Sequence, residues 1–588
     1  MRRLPGGLGA IWTVPPGRAA RPDTGSSVAP VVATTGAPCV RGLGTSIEPR
    51  RRAISHRALL IPTLLVAIGL CGVGSAGGAL IVGTAGADRL IGTLQPDELY
   101  GLGGSDRIDG RAASDLIDGG AGRDRLFGRA GVDRIISSGD LRKDAVSCGS
   151  GRDIVNADLL DSVAANCETV SSQISRDTGV GWPAQHQTQV EPDSFSFGST
   201  IVTVFQSGRH LDGGAERNGF STSRNGGRTW RSGLLPTGSF ERVSDPVVAY
   251  DAEHKWWLAA SLGTNFSTNG IVINRSRDGL TWRAPVDAAR SSVEDYDKEW
   301  IACDNWRSSR FRGRCYVSYM NFRRDTIETR RSTDGGRTWS GPVAITVQRR
   351  PAQPNGIQIV TRPNGNVLLL LSIFGAMTGN EVAQLRSTDG GVSFAQPVAI
   401  ARLGDTDVSW LRAPPFVSAD VDAAGTVYVA WRDCERFGEC SADIVLMTSP
   451  DGVTWSEPAR IPTGSADGLY FLPALAVDPA TSGRRARLAV LYHSMSPSTI
   501  CDPAAGCLAI DVRMVTSSNG GETWTKPQRL NALSMPPFWM ADTSLGRMLG
   551  DYVSVSWARG RAIGVFSLAF QPIGGLYKQS IFATTRLR

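Results

Sequence analysis

Aspartates recur at nine-residue intervals in the segment that begins at Gly83, and carboxylates spaced so regularly are candidate ligands for a cation. Hard cations such as Ca²⁺ prefer oxygen ligands. Six aspartates follow this spacing: Asp88, Asp97, Asp106, Asp115, Asp124 and Asp133. A glycine opens each unit, and an apolar residue stands two positions after each aspartate: Leu90, Leu99, Ile108, Ile117, Leu126 and Ile135. The period indicates a tandem repeat in which every unit contributes one carboxylate.

The unit from Gly119 to Phe127 matches in full the nonapeptide of RTX calcium-binding proteins, and the other units are similar to it. This resemblance implies a parallel β-roll with its apolar residues pointing inward and Ca²⁺ held between turn carbonyls and aspartates. Because two nonapeptides form one coil, alternate units stack in a column. We expect calcium mainly along the column that keeps a glycine two residues before each aspartate: Gly86 and Asp88, Gly104 and Asp106, Gly122 and Asp124. The other column, with Asp115 and Asp133, has Gln95, Ala113 and Gly131 near that place and is expected to bind less strongly.

The alternative interpretation of this segment is a short β-solenoid with solvated carboxylates and negligible calcium affinity. The outward-pointing arginines would then be rival partners for the aspartates: Arg89, Arg107, Arg125 and Arg134. The repeat continues less regularly through Asp144 and Asp153 and ends near Cys167. A disulfide between Cys148 and Cys167 would cap the open end of the roll.

A second group of chemically capable side chains lies at the starts of strand-like runs further along the chain. Its members are expected to project into one mouth: Glu191, Asp193, Asp245, Asp297, Glu299, Asn355, Arg412, Tyr470, Asp551 and Tyr552. A neutral and an ionised carboxyl group close together could act as general acid and base in glycoside cleavage. The candidate catalytic residues are Asp245, Asp297, Glu299, Arg412, Asp551 and Tyr552. The same residues could instead bind a central cation, or cap strands and form ion pairs, as Lys298 could with Asp297.

Six hairpins with the pattern Ser-x-Asp/Asn-Gly followed by an aromatic residue identify the element that positions this mouth. Their marker residues lie 53 to 68 residues apart, the length of one four-stranded propeller blade: Asn225, Asp278, Asp334, Asp389, Asp451 and Asn519. The Asp or Asn accepts hydrogen bonds from the turn, and the glycine tolerates positive φ. These hairpins resemble the Asp boxes of sialidases and related propellers. That resemblance implies a place at the rim, away from the mouth, and a structural role.

Two strand-like runs precede each hairpin, for example Asp245–Tyr250 and Trp256–Ser261 in the second unit. A seventh pair, Asp551–Trp557 and Ala562–Phe566, has no hairpin of this type after it. The sequence therefore predicts an all-β protein: a short parallel β-roll and then a sialidase-like propeller of seven blades, the last closed by a strand from around Ser171 to Trp182. Sialidases have six blades, and six remains the alternative.

The catalytic pattern of the sialidases is not reproduced. That family binds its substrate's carboxylate with three arginines, the first in an Arg-Ile-Pro motif at the start of the domain. The corresponding place here holds Glu191-Pro192-Asp193, and the chain's Arg460-Ile461-Pro462 follows the fifth hairpin, on an expected outer strand. The resemblance thus implies the fold over about 400 residues and assigns no arginine of this chain to the triad.

Charge and leader composition indicate export. The net charge of +7 equals the surplus of arginines over acidic residues before Ala58, so the rest of the chain is neutral, which argues against a nucleic-acid partner. A basic stretch ending at Arg57, an apolar run to Gly74 and small residues up to Ala76 are typical of a signal peptide; a membrane anchor is the alternative. The expected organisation is a leader at 1–76, the roll at 77–170, a linker at 171–189 and the propeller at 190–588.

Eight cysteines outside the leader form four close pairs, as expected in an oxidising compartment: Cys148 with Cys167, Cys303 with Cys315, Cys434 with Cys440, and Cys501 with Cys507. Together these features favour a secreted, calcium-binding monomer without a membrane span, whose propeller is an exo-glycosidase, similar to exo-α-sialidases, acting on extracellular glycans or glycoconjugates. The alternative is a non-catalytic propeller that binds glycan or protein at the cell surface. A lyase acting on acidic polysaccharide is the third possibility.

Overall fold

The fold was analysed in a computed structural model. It describes residues 77–588 apart from 180, 182, 348–352, 377–378, 405–409, 434–442, 465–467 and 503–505. The predicted signal peptide lies outside the described residues. Nearly all regular structure is β-strand, with two short 3₁₀ turns at Gly483–Arg485 and Pro537–Trp539. No helix in the part of the chain covered by the structure is long and apolar enough to cross a membrane.

The N-terminal segment folds as a roll of two parallel sheets, as the nonapeptide pattern predicts. One sheet contains Leu80–Val82, Glu98–Tyr100, Leu116–Asp118, Arg134–Ser137, Ile154–Asp158 and Thr169–Gln173. The other contains Arg89–Ile91, Arg107–Asp109, Arg125–Ala130, Ala145–Ser150 and Ser162–Val163, and the short pair Gly103–Gly104 and Ala121–Gly122 lies at a turn. Each strand stacks on the next coil, so that Leu90 lies beside Ile108 and Leu99 beside Ile117. The six periodic apolar residues form the buried core of this roll.

A disulfide closes the far end of the roll. Cys148 and Cys167 are bonded and fully buried, with their Cα atoms 5.1 Å apart. The predicted bridge between Cys303 and Cys315 is also present, on adjacent strands of one blade. Cys507 is disulfide-bonded, while the side chain of its predicted partner Cys501 and both members of the pair Cys434 and Cys440 lie outside the described residues.

Seven four-stranded antiparallel sheets follow and confirm the predicted propeller. Blade 1 is Gln185–Phe197, Thr200–Arg209, Ala215–Ser223 and Arg231–Leu234; blade 2 is Arg242–Asp251, Trp256–Asn265, Thr268–Ser276 and Val286–Ser291; blade 3 is Tyr296–Cys303, Cys315–Asn321, Thr326–Ser332 and Val343–Thr346. Blade 4 is Gln353–Thr361, Val367–Ala376, Gly379–Ser387 and Val398–Arg402; blade 5 is Ser418–Val421, Val427–Asp433, Asp443–Ser449 and Ala459–Arg460; blade 6 is Leu469–Val477, Leu488–Asp502, Gly506–Ser517 and Gln528–Arg529. Blade 7 is Ser554–Ala558, Arg561–Ile573, Leu576–Arg586 and, from upstream, Thr169–Gln173.

The hairpins between the third and fourth strands of blades 1 to 6 share one hydrogen-bond pattern. In blade 3, Asp334 Oδ1 accepts from the backbone N–H groups of Arg337 (2.9 Å) and Thr338 (3.0 Å), and Ser332 Oγ accepts from Gly336 (2.9 Å). Successive strands of a blade run in opposite directions. The hairpin after the third strand therefore lies at the end of the blade opposite the start of the first strand, away from the mouth. Their Asp and Asn side chains are therefore engaged in building turns.

One strand belongs to both the roll and the propeller. Thr169–Gln173 pairs in parallel with Ile154–Asp158 of the roll and antiparallel with Leu576–Arg586 of blade 7. It overlaps the segment predicted to close the last blade, and residues 171–173, which the sequence places in the linker, form part of it. Side chains reinforce the junction: Asn156 Nδ2 donates to the carbonyl of Leu530 (3.1 Å), and Asn156 Oδ1 accepts from the N–H of Ala532 (2.7 Å).

Candidate functional site

Each aspartate of the roll uses one carboxylate oxygen to join successive coils. Asp106 Oδ1 accepts from the N–H of Asp88 (2.8 Å), and Asp124 Oδ1 accepts from the N–H of Asp106 (2.8 Å). The second oxygen behaves differently. In four of the six periodic aspartates it is buried and has no hydrogen-bond partner among the described residues: Asp106, Asp115, Asp124 and Asp133. Buried carboxylate oxygens without a donor are costly unless a cation compensates them.

These oxygens face a space that a side chain could not enter. A methyl group on Gly101 would stand 2.5 Å from Asp106 Oδ2 and 2.3 Å from the carbonyl oxygen of Gly119. At Gly110 it would stand 2.4 Å from Asp115 Oδ2. Carboxylate and carbonyl oxygens thus converge around the first glycine of each unit, an all-oxygen set suited to Ca²⁺. No cluster of three or more His, Cys, Asp or Glu side chains arranged for a metal occurs in the described ranges.

The raised pKa values of the aspartates in the roll are consistent with a site for Ca²⁺. Burial raises the pKa of Asp115 to about 7 and the pKa values of Asp124 and Asp133 to about 6, because the charged form lies far from water. The alternative interpretation required arginines as partners. Within the described part of the chain no periodic aspartate forms an ion pair with an arginine, and Arg129 instead pairs with the outward Asp109 at 2.7 Å.

Both columns of the roll show this geometry, so it does not separate a stronger from a weaker column as the sequence analysis expected. The difference lies in the backbone. Ala113, in a unit of the second column, has a positive φ of 76° where the first column has Gly104 and Gly122. Arg111 (φ 74°) does not distinguish the columns, because Leu102 at the matching place of the first column also has a positive φ of 67°. Non-glycine residues in this region carry about 1–2 kcal/mol of strain each. In the first coil, Asp88 Oδ2 already accepts from the N–H of Thr84 (2.6 Å).

At the propeller mouth, β-bulges in the inner strands position the side chains. In five blades, two residues of the inner strand stand opposite one residue of the next strand. The first residue of each bulge has positive φ: Glu191, Asp245, Lys298, Gly356 and Leu472. A bulge turns a side chain out of the regular alternation, and such sites are enriched beside functional positions. The bulges of blades 1 to 3 therefore present Glu191, Asp245 and Lys298 at equivalent places.

Glu191 and Asp245 form the centre of the resulting charged cluster. Glu191 Oε1 accepts from the N–H of Asp551 (3.2 Å), and Glu191 Oε2 accepts from the amide of Gln206. Ser244 Oγ donates to Asp245 Oδ1 at 2.9 Å. Arg209 is fully buried behind them and donates to Gln206 Oε1 at 2.8 Å. The sequence analysis named Glu191 only as a mouth residue and missed Gln206 and Arg209, which lie on a second strand.

Two cations face these carboxylates. Arg412 makes a bidentate ion pair with Asp551, with Nε at 2.7 Å from Oδ1 and Nη2 at 2.5 Å from Oδ2. Lys298 Nζ lies 3.7 Å from the centroid of the Tyr552 ring and has no hydrogen-bond partner among the described residues. The expected ion pair between Lys298 and Asp297 is not observed, because the bulge directs the Lys298 side chain toward the ring of Tyr552.

The cluster divides charge unequally between its carboxyl groups. Burial and the nearby carboxylates of Asp245 and Asp551 raise the pKa of Glu191 well above its usual value. Although burial opposes it, the charges of Lys298 and Arg412 lower the pKa of Asp245. Burial, together with Asp245, raises the pKa of Asp297 to about 7. The pKa values of Glu191 and Asp245 are thus shifted in opposite directions, the kind of division that general acid–base chemistry uses.

The cluster is largely shielded from solvent. Glu191 and Glu299 are fully buried, and Asp245 and Lys298 are 4% exposed, whereas Asp297 and Arg412 are only partly buried. Neither oxygen of Glu299 has a hydrogen-bond partner within the described residues, and burial raises its pKa well above the usual range. Leu411–Arg412 pairs in parallel with Arg547–Met548, a segment of the long connection between blades 6 and 7. This connection covers the mouth and brings Arg412 to Asp551.

Three of the side chains expected at the mouth serve other contacts. Asp193 Oδ2 accepts from the N–H of Val248 (2.8 Å) and so joins the inner strands of blades 1 and 2. Asn355 Oδ1 accepts from the N–H of Gly356 within its own bulge (2.7 Å). The ring of Tyr470 packs edge-on against Tyr492, 5.7 Å away. Each of the six candidate catalytic residues interacts by charge with Lys298 or Glu191, and the ring of Tyr552 also contacts Lys298.

Comparison with known proteins identifies the repeats of the roll. Residues 82–117 and 109–140 match the RTX calcium-binding nonapeptide repeat, in four copies. These repeats bind Ca²⁺, in agreement with the converging oxygens described above. No curated protein matches the chain in sequence.

Among solved structures, the chain is similar to an ulvan lyase, a sialidase and an α-L-arabinofuranosidase. An ulvan lyase of polysaccharide lyase family PL25 is 11% identical with a TM-score of 0.42, covering 71% of this chain and 96% of that one. A Hadza microbial sialidase is 15% identical with a TM-score of 0.37, covering 63% and 76%. An α-L-arabinofuranosidase from Fusarium graminearum is 13% identical with a TM-score of 0.39, covering 59% and 97%.

Proposed function

We propose that this chain is an exported, calcium-binding glycoside hydrolase whose active site is the charged cluster at the propeller mouth. The observation that carries the proposal is the placement of Glu191 and Asp245 at equivalent bulges of neighbouring blades, beside Lys298 and Arg412, with their pKa values shifted in opposite directions. The calcium-binding roll, the disulfides and the signal-like leader support an extracellular place of action. An extracellular glycan is the substrate class that these features favour.

In this proposal Glu191 is the general acid and donates its proton to the glycosidic oxygen of the leaving group. Asp245 stays ionised and acts in one of two ways: it attacks the sugar carbon to form a glycosyl-enzyme that water then cleaves, or it stabilises the developing positive charge while water attacks directly. In both cases the C–O bond to the leaving group breaks, water supplies the new C–O bond, and the proton released by water restores Glu191. Arg412 and Lys298 keep Asp245 ionised, and Arg412 is exposed enough to reach an acidic group of the substrate. Asp297, whose pKa is raised to about 7, is the further group able to exchange a proton with water near neutral pH.

The second candidate is a non-catalytic propeller that recognises glycan. The cover formed by Leu411–Arg412 and Arg547–Met548 favours it, because the carboxyl groups beneath are buried. In that case the cluster would lock blades 1, 2, 3 and 7 together around the centre, and the recognition surface would lie elsewhere.

Hydrolysis of a panel of fluorogenic glycosides, sialosides included, tests the two candidates when combined with glycan-array binding. The protein is assayed with calcium as wild type, Glu191→Gln and Asp245→Asn. Glu522→Gln is the matched control, because Glu522 is an exposed carboxylate on the hairpin of blade 6. Hydrolysis that falls at least a hundredfold in both cluster variants and not in the control would support the hydrolase. Array binding without turnover in any variant would refute it and support recognition.

A further inference from the structure

Aromatic side chains of the six hairpins fill the grooves between neighbouring blades. Each packs in a hydrophobic cluster shared by its own blade and the preceding one: Trp230, Trp282, Trp339, Phe394, Trp455 and Trp524. Trp230 of blade 1, for example, lies with Ile563 of blade 7, and Trp282 of blade 2 lies 5.9 Å from the Phe220 ring of blade 1. Six of the seven grooves are filled in this way.

The groove between blades 6 and 7 receives no such side chain. The fourth strand of blade 7 is Thr169–Gln173, which comes from upstream of the propeller, so no hairpin joins the third and fourth strands of this blade. A cavity of about 580 Å³ lies in this groove. It is lined by the hairpin of blade 6, including Ser517 and Trp524, and by Trp557, Ile563 and Thr584 of blade 7. The cavity is thus a consequence of how the ring is closed.

The two indole N–H groups in the walls of this cavity are bonded to backbone carbonyls, and the Arg487 guanidinium lies 5.3 Å from the centroid of the Trp557 ring. Trp524 Nε1 donates to the carbonyl of Gly521 (3.0 Å), and Trp557 Nε1 donates to the carbonyl of Ala476 (3.1 Å). Both side chains are only partly buried. The flat apolar face of an indole packs well against the C–H face of a pyranose ring. Hydroxyl groups also line the cavity. Those of Thr516 and Ser518 could bond sugar hydroxyls, whereas those of Ser517, Thr523, Thr525 and Thr585 already take part in hydrogen bonds within the protein.

The charge of the lining is wholly positive. Four arginines and no Asp or Glu side chain line the cavity in the described structure: Arg487, Arg561, Arg586 and Arg588. Only Arg487 has a carboxylate partner, Asp478. Arg561 donates to the carbonyl oxygen of Gly226 (2.7 Å), and Arg586 donates to those of Ala164 (2.6 Å) and Cys167 (2.9 Å). Carbonyls orient these guanidinium groups without neutralising them, so the cavity attracts anions.

We propose that this cavity, the blade 6–7 pocket, is a binding site for an acidic oligosaccharide that carries sulfate or carboxylate groups. Its volume is within the range of small-ligand sites. Its aromatic side chains match the C–H faces of the sugar rings, its hydroxyls match the sugar hydroxyls, and its arginines match the sulfate or carboxylate groups. The pocket lies at the hairpin end of the blades, opposite the mouth. It would hold the polysaccharide chain on the protein whether or not the mouth is catalytic.

Titration of the full-length protein, with calcium present, tests this site directly. The probes are a chondroitin sulfate tetrasaccharide and neutral cellotetraose, followed by tryptophan fluorescence and calorimetry at two salt concentrations. We expect the sulfated probe to bind at least tenfold more tightly than cellotetraose and to weaken as salt rises. Ala562→Trp, which adds an indole at the pocket wall, should abolish binding. Glu191→Gln at the mouth should leave it unchanged, which separates this site from the proposed active site.

The contribution of Arg561 to binding is tested by a matched pair of variants. Arg561→Gln should weaken binding of the sulfated probe at least fivefold, whereas Arg561→Lys, which keeps the charge, should retain most of the affinity. This comparison decides the proposal even if Ala562→Trp fails to fold. Equal binding of both probes, the same affinity in Arg561→Gln as in wild type, or no binding at millimolar concentration would each overturn it.

Discussion

Arg412 and Asp551 form a bidentate ion pair although they are 139 residues apart and belong to the segments that lead into blades 5 and 7. The carboxylate of Asp551 is 7% exposed and the guanidinium of Arg412 is 18% exposed. The pair lies over Glu191, whose Oε1 accepts from the backbone N–H of Asp551. It therefore joins the cover of the mouth to the bulge of blade 1.

Removal of one member of this pair should destabilise the protein strongly. Arg412→Met leaves Asp551 buried without its cation, and the expected loss in the free energy of unfolding is about 3–5 kcal/mol. Urea denaturation at neutral pH measures it. The matched control is Arg484→Met, because Arg484 and Glu522 form an exposed pair, for which we expect a change of about 0–1 kcal/mol. A loss below about 1 kcal/mol in Arg412→Met would contradict the structural role of the pair.

Calcium should stabilise the protein through the unpartnered oxygens of the roll. At a calcium concentration of about a hundred times Kd, the expected stabilisation is about 2.7 kcal/mol, seen as a rise in the thermal midpoint relative to EGTA. Asp124→Asn removes the charge at Oδ2 and should abolish much of this rise. Asp109→Asn, which alters an outward carboxylate paired with Arg129, is the control. Equal calcium-induced shifts in the two variants would exclude Asp124 as a ligand.

Acid should destabilise the propeller through His493. Its side chain is fully buried, neither ring nitrogen has a partner among the described residues, and it stacks on Phe471 with centroids 5.4 Å apart. Burial lowers the pKa of His493 to about 3, so the folded state holds the neutral ring while the unfolded state takes up a proton near pH 6.5. The stability contributed by the neutral ring is present above pH 6.5 and is lost as the pH falls toward 3, amounting to about 2 kcal/mol between pH 7.5 and 5.

His493→Phe isolates this contribution, because phenylalanine keeps the aromatic ring and cannot titrate. Unfolding free energies of wild type and variant are measured by urea denaturation at pH 7.5, 6 and 5. The difference between the two proteins should shift in favour of the variant as the pH falls. Parallel pH profiles would show that His493 does not cause the acid sensitivity.

The hairpins should tolerate Asn and not Ala. Asp334 Oδ1 accepts from two backbone N–H groups, and Oδ2 accepts from Thr338 Oγ1 at 2.7 Å. Two other hairpins carry Asn225 and Asn519 at the same place with equivalent bonds. Asp334→Asn should therefore change the free energy of unfolding by less than about 0.5 kcal/mol, whereas Asp334→Ala leaves the turn donors unmet and should cost about 1–2 kcal/mol. Equal effects of the two variants on the urea midpoint would contradict this role.

Periodicity made most of the fold predictable. The nine-residue spacing identified the roll because each coil repeats the same turn, and the six hairpins identified the blades because each turn needs the same Asp or Asn and glycine. The closing strand was placed within a few residues. The course of Leu411–Arg412 and Arg547–Met548 was not predictable, because two short segments without a repeat pair across the mouth.

The candidate site was harder to predict because bulges alter which side chains face the centre. Regular alternation would place Asp297 and Glu299 on one face of the blade 3 strand, whereas the bulge directs Lys298 to Tyr552. The signal available in the sequence was the recurrence of proline after the first bulge residue, in Glu191-Pro192, Asp245-Pro246 and Leu472-Pro473. Proline lacks an N–H and is tolerated at bulges, so the motif marks them. Gln206 and Arg209 carried no comparable signal.

We expect the shared strand Thr169–Gln173 to influence the order of events during folding, because it pairs with both the roll and blade 7. Ser172 contacts Thr585, 413 positions further along the chain, so the ring is completed by one of the most distant pairings among the described residues. Closing so long a loop is entropically unfavourable and tends to be slow. The roll can stack its coils from neighbouring residues, and it then presents this strand as a ready edge when Leu576–Arg586 emerges. The roll is thus a template on which the propeller finishes folding, and slower refolding of the propeller without calcium would be its kinetic signature.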